Sequence, residues 1–316
     1  SFDGEFPEVS PVTEPTTAAP AMAAAASAFA AAGAPPPQAT PDAVSQIGRP
    51  TTAHLAYAAG LIDALPTRIK QTVHEPFGAR AVVYALLINT EPEPRDRQLT
   101  RLAEHADRPV YDETQAILPL MEQLDPAARL PLVDMAVPAL RALSPKQYEA
   151  FGNNVDQLVK ADQKMSLFEW TLQRILLRHL QPHFQQVKPP VVQYYSLKSL
   201  AIHCSTLLST LAYVGHKDRA EAEHAFEQAS GRLNLPGLAL RDAQHCGLGA
   251  VDKALNALST VSPRHKRRVL EACAVCISAD KQITVREAEL FRAMSDALGC
   301  PMPPLLPGQP LIALQH

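Results

Sequence analysis

The feature that most constrains this chain is an internal repeat. A shift of 118 positions lays Leu130–Leu176 on Leu248–Met294 without a gap. Leu130, Val133, Asp134, Ala136, Ala139 and Leu140 meet Leu248, Val251, Asp252, Ala254, Ala257 and Leu258. Ser144-Pro145 meets Ser262-Pro263, and Ala161-Asp162 meets Ala279-Asp280. Glu169, Leu172 and Arg174 meet Glu287, Leu290 and Arg292. A period this long, present twice, is not a solenoid array. It reads as two copies of one helical unit packed together.

Each copy follows the same local rules. Ser144 or Ser262 stands as a helix N-cap, with proline at the first helical position. In the second copy Val269, Leu270, Cys273, Cys276 and Ile277 then fall on one helical face; Phe151, Val155 and Leu158 do so in the first. The helix ends at Asp162 or Asp280. Ser166-x-x-Glu169 and Thr284-x-x-Glu287 follow as capping boxes, in which hydroxyl and carboxylate each accept a backbone N–H. A second apolar-periodic helix starts there, with Leu172, Ile175, Leu176 and Leu180 matched by Leu290, Ala293, Met294 and Leu298.

The segments Ala161-Asp162-Gln163-Lys164-Met165-Ser166-Leu167-Phe168-Glu169 and Ala279-Asp280-Lys281-Gln282-Ile283-Thr284-Val285-Arg286-Glu287 resemble the Asp-Gly-x-[Ile/Val]-[Ser/Thr]-x-x-Glu turn of TerB-like all-helical domains. Gln163 and Lys281 stand where that turn carries glycine. Calcium is not expected at these turns. An EF-hand loop takes about five oxygen ligands and a central glycine, and each turn offers one aspartate and a glutamate committed to capping.

Composition sets further bounds. Aromatic residues make up only 5% of the 316, and no run alternates β-branched with polar residues, so no strand is predicted. The net charge of −3 gives no global attraction to nucleic acid. Five cysteines without a framework spacing suit a reducing compartment. Cys273-x-x-Cys276 has the spacing of a redox or zinc half-site, yet the repeat places both opposite core residues, Val155 and Leu158, so they are expected to pack as small hydrophobes. No run of 18 apolar residues would span a membrane, and Ser1–Pro7 is not a signal peptide. A chain opening on Ser1 is expected of a fragment or processed product.

In chain order, residues 1–46 read as a disordered Ala/Pro-rich linker, too poor in large apolar side chains to offset ordering entropy. Residues 47–125 form a helical subdomain: helices over Thr51–Leu65, Arg68–His74, Phe77–Asn89 (buried), Arg95–His105 (a charged surface helix) and Val110–Leu124. The first repeat unit occupies 126–188, with its core at about 130–180. Connecting helices over Tyr194–Val214 and Asp218–Leu233 lie within 189–247. The second unit runs over 248–300, and 301–316 is a Pro-rich tail. The fold class is all-α, a helical bundle with two repeat units.

Several segments carry a second resemblance. Thr52-Ala53-His54-Leu55-Ala56-Tyr57-Ala58, Leu61-Ile62-x-x-Leu65-Pro66, Ala79–Leu87, Leu167-Phe168-Glu169-Trp170 and Cys300-Pro301-Met302-Pro303-Pro304 are similar to the region downstream of the catalytic domain in bacterial HtpX-like membrane zinc metallopeptidases. Ser1–Pro7 is similar to the stretch that follows that domain. The resemblance implies a soluble C-terminal accessory region on the cytoplasmic side of the bacterial inner membrane, tethered through transmembrane helices outside this chain. Zinc would belong to the parent's catalytic domain and no cofactor to this chain. The implied partners are the protease domain itself, protein substrates and the inner-leaflet lipid surface, with no nucleic acid. The alternative is a free-standing TerB-like scaffold in a stress response.

Catalytic residues are not expected. The protease motif His-Glu-x-x-His needs two imidazoles on one helical face, and His74-Glu75 is followed by Pro76 with no second histidine. His179 is expected at a core edge, and His216 and His224 on a solvated face. His203-Cys204 and His245-Cys246 would support an enzyme only if one zinc bridged both pairs. Arg264, Lys266, Arg267 and Arg268 sit at a helix start, where cations oppose the helix dipole. They are read as a solvated face or as a contact for anionic lipid or a partner.

Overall fold

The computed structural model describes residues 42–161, 167–186, 191–216, 218–280 and 283–312; of 160, 161 and 168 it describes the backbone alone. These residues form thirteen α-helices and no β-strand. Helix α1 (Thr52–Asp63) opens on a capping box in which Thr51 and His54 accept each other's backbone N–H. Helix α2 (Thr67–Thr72) follows Pro66. In α3 (Pro76–Leu87) every residue from Gly78 onward is buried, as its apolar run, broken only by Arg80, requires. Helix α4 (Pro92–His105) follows, and α5 (Arg108–Met121) packs against α3. Then come α6 (Arg129–Arg141), α7 (Pro145–Ala161) and α8 (Leu167–Phe184).

The second half holds α9 (Ala201–Gly215), α10 (Arg219–Leu233), α11 (Leu248–Ser259), α12 (Pro263–Ile277) and α13 (Val285–Ala297). Helices α7 and α12 begin at Pro145 and Pro263, and α8 and α13 at Leu167 and Val285, both 118 residues apart. The packing order also matches. In the first half α3 packs on α6 and α7, and α4 on α7; in the second half α9 packs on α11 and α12, and α10 on α12.

Two apolar cores result. One gathers Tyr84, Ile117, Leu140, Phe151, Leu158 and Leu176; the other gathers Leu207, Phe226, Leu255, Cys273 and Phe291. Helices α8 and α13 pack together and join them: Leu167 of α8 belongs to the second core, and Ala293 of α13 to the first. Along this seam Arg178 donates from Nη1 to the carbonyl of Asp296, the residue 118 positions on. His179 Nε2 lies 3.1 Å from Asp296 Oδ2, and Arg174 pairs with Asp252.

Two expectations need correction. Residues 194–200 are not the start of a long helix: Tyr194 bridges to Val261 instead, its carbonyl accepting from Ser262 N–H, and α9 starts only at Ala201. The linker boundary at residue 46 falls inside ordered chain. Ala43 and Val44 are buried, and their amides donate to Pro310 and Leu311. The Pro-rich tail is likewise held down, with Leu311 fully buried in the second core.

Candidate functional site

The predicted caps separate into three groups. Thr284 and Glu287 form the expected box: Thr284 Oγ1 accepts from Glu287 N–H at 3.2 Å, and Glu287 Oε2 accepts from Thr284 N–H at 2.9 Å. Ser144 forms a box as well, with Gln147 as its partner, each side chain accepting the other's backbone N–H. Ser262 occupies the N-cap of α12, but its hydroxyl makes no capping bond. Its backbone is committed instead, with the amide donating to Tyr194 and the carbonyl accepting from His265 and Lys266. Asp162 and Ser166 lie outside the described residues. Glu169 sits in the first turn of α8, where its charge faces Arg129, and Asp280 lies just past the end of α12. None of the described caps lines either of the two concavities described below.

The basic run is dispersed by the fold. Arg267 pairs with Glu271 at 3.2 Å. Arg268 donates to the carbonyl of Leu233 at the end of α10. Lys266 reaches toward Gly299, and its ammonium pKa is lowered by burial and by Arg178. His265 Nε2 lies 2.8 Å from the carbonyl of Tyr195. Arg264 alone of the four cations stands exposed with no ion pair among the described residues. Of these four cations within five residues, only Arg267 is ion-paired among the described residues, while Lys266 and Arg268 lie against the chain around Gly299 and Leu233.

The histidines and cysteines do not converge; no cluster of three or more metal-ligating side chains occurs among the described residues. Cys204, Cys246, Cys273 and Cys276 are buried, and burial pushes the thiols of Cys204 and Cys276 up to about 12. They pack as apolar groups, since reactivity belongs to the thiolate. His245 is exposed beside Asp242. His179 is bound to Asp296 rather than idle at a core edge. His224 is on the surface as expected, but His216 is buried beside a 480 Å³ hollow with Tyr213, Asp218 and Asp242. The turn that ends α9 folds His216 inward, which its spacing from His224 does not reveal.

The other concavity, about 440 Å³, is an apolar groove built by three distant segments. Helix α1 gives one wall with Leu55, Ala58 and Ile62; α6 gives the floor with Pro131 and Met135; Met302, Pro303 and Pro304 give the far wall. Helix α1 touches the rest of the protein only lightly, through α6 and the short turn Pro126–Ala128. Its single charge is Asp63. Leu55 therefore stays 60% exposed. What fixes α1 to the tail is His54. Its Nδ1 meets Thr51 and its Nε2 lies 3.1 Å from Gln309 Oε1, which also accepts from Leu306 N–H.

Two charged side chains reach this groove. Arg292 of α13 is nearly fully buried; its Nη1 contacts both oxygens of Glu289, at 2.7 and 2.8 Å, while Nε has no partner. Asp134 of α6 makes no hydrogen bond or ion pair among the described residues. Crowding raises its carboxyl above the usual range, with His179 and Arg292 opposing and Asp296 reinforcing the rise. None of the groove residues was a candidate from sequence. The usable signal was the repeat itself, which pairs Asp134 with Asp252 and Arg174 with Arg292 away from the matched caps. No known protein family, curated protein or solved structure matches this chain.

Proposed function

We propose that this chain is a non-catalytic interaction region that holds polypeptide, and that it serves a membrane-anchored zinc metallopeptidase of the HtpX-like kind. Residues 130–176 and 248–294 act in it as two TerB-like units. The observation that carries the binding role is the groove between α1, α6 and Pro303-Pro304, with Leu55 left uncovered on its wall. Apolar surface removed from water contributes about 25 cal/mol per Å², so a segment that covers Leu55 and Ile62 gains directly. The attachment to a protease rests on the sequence resemblance.

A permanently unfolded, fluorescently labelled polypeptide titrated with the chain tests the binding role. Saturable binding is expected, with loss in Leu55→Asp while the helical circular dichroism stays unchanged. Binding that ignores Leu55→Asp places the contact elsewhere. The attachment is tested by the reading frame upstream of Ser1: transmembrane helices and a His-Glu-x-x-His motif in frame support it, and a start codon at that point removes it.

A further inference from the structure

We propose that the groove is selective for an extended apolar segment carrying one basic side chain, whose cation pairs with Asp134. This rests on the reading of the groove as a polypeptide site and adds to it the charge of the occupant. The argument begins with the charges at the groove floor. Arg292 is already neutralised, because both oxygens of Glu289 sit on its Nη1. Asp134 is left over. No donor or cation among the described residues lies within bonding distance of it, although apolar Pro131 and Met135 flank it on the same wall. Asp134 is exposed to solvent beside these apolar side chains, so an added cation gains there what a surface ion pair gains, a few-fold in affinity. The charge of Asp296 also acts on Asp134 and is opposed by those of His179, which is engaged with Asp296, and of Arg292.

Charge also decides between occupants. The chain's own residues 1–48 contain no Lys, Arg or His but hold Asp3, Glu5, Glu8, Glu14 and Asp42. That segment is acidic and would meet Asp134 with like charge. The complement is a partner polypeptide in which one Lys or Arg follows or precedes apolar residues. Its stem would lie along Met135 and Met302 while its head reaches Asp134, as long basic side chains do on apolar surfaces.

The test uses three capped, labelled peptides of one apolar sequence that differ at a central Lys, Gln or Glu. Fluorescence anisotropy is measured against the full chain and against Asp134→Asn. The Lys peptide is expected to bind up to about fivefold more tightly than the Gln peptide, and the Glu peptide more weakly than both. Asp134→Asn is expected to remove the Lys advantage and leave the Gln peptide unchanged. The advantage should also fade as pH drops through the raised Asp134 pKa. Equal affinities across the three peptides overturn the charge preference and leave the groove standing. A preference for Glu overturns it in favour of an anion at Arg292. Absence of binding by every peptide, with Leu55→Asp no different from the parent, removes the groove itself.

Discussion

Gln98 shows what a single residue does here. It is fully buried, and its Nε2 donates to the carbonyls of Leu87 at 3.0 Å and Leu158 at 3.1 Å, while Oε1 accepts from Asn89 N–H at 2.7 Å. It therefore closes the end of α3 and ties α4 to α7. Gln98→Leu is expected to cost about 3 kcal/mol, since buried backbone groups left unpaired cost about 1–3 kcal/mol each; urea denaturation would read it. The sequence places Gln98 in a charged surface helix, and no local pattern reveals acceptors 11 and 60 residues away. Cys273 and Cys276 were legible for the opposite reason, because the repeat set them against apolar partners. Asp134 was visible as a repeated acid but not as a groove residue, since its neighbours come from α1 and the tail.

At the scale of elements, helix starts were read well where a side chain and a following residue share the work, and less well where the tertiary structure had already spent the backbone. Thr284→Ala is expected to cost about 1 kcal/mol. Ser262→Ala should cost no more than a few tenths in the same thermal melts, because no capping bond is lost. Gly78 belongs here too. A Cβ there would stand 2.1 Å from the carbonyl oxygen of Thr72, so the end of α2 can cross α3 only over a bare backbone. Gly78→Ala forces the two helices apart, at roughly 3 kcal/mol on the scale of overpacked cores. Hydrophobic periodicity found α3 and its burial, yet it carries no information on which neighbour comes that close. The same limit explains why the chain before α9 was taken for helix: Tyr194 pairs with Val261, some 67 positions on.

For the whole molecule, the all-α class and the order of helices were legible, while the seam between the two halves was not. The bond to Asp296 raises the His179 pKa, burial opposes it, and the charges of Asp296 and Asp134 add to the rise. A raised histidine pKa stabilises the charged, folded form. That stability is full below the unfolded value of about 6.5 and is lost as pH climbs through the folded value. Thermal melts should accordingly fall over that window, and Asp296→Asn should flatten the fall. Arg178 meets residue 296, its own partner under the 118-residue shift, as residues do near the axis of a self-complementary pair. The contact that joins the halves has a polar rim, Arg174, Arg178 and His179 on one helix, Asp296 on the other and Asp252 beside them, around apolar side chains that enter both cores. Water reaches the rim pairs at little cost, whereas parting Leu167 or Ala293 from the core it enters exposes aliphatic side chains. Hydrogen exchange should therefore find α8 and α13 protected to the same degree as the cores they enter, a weld laid down where two like surfaces meet.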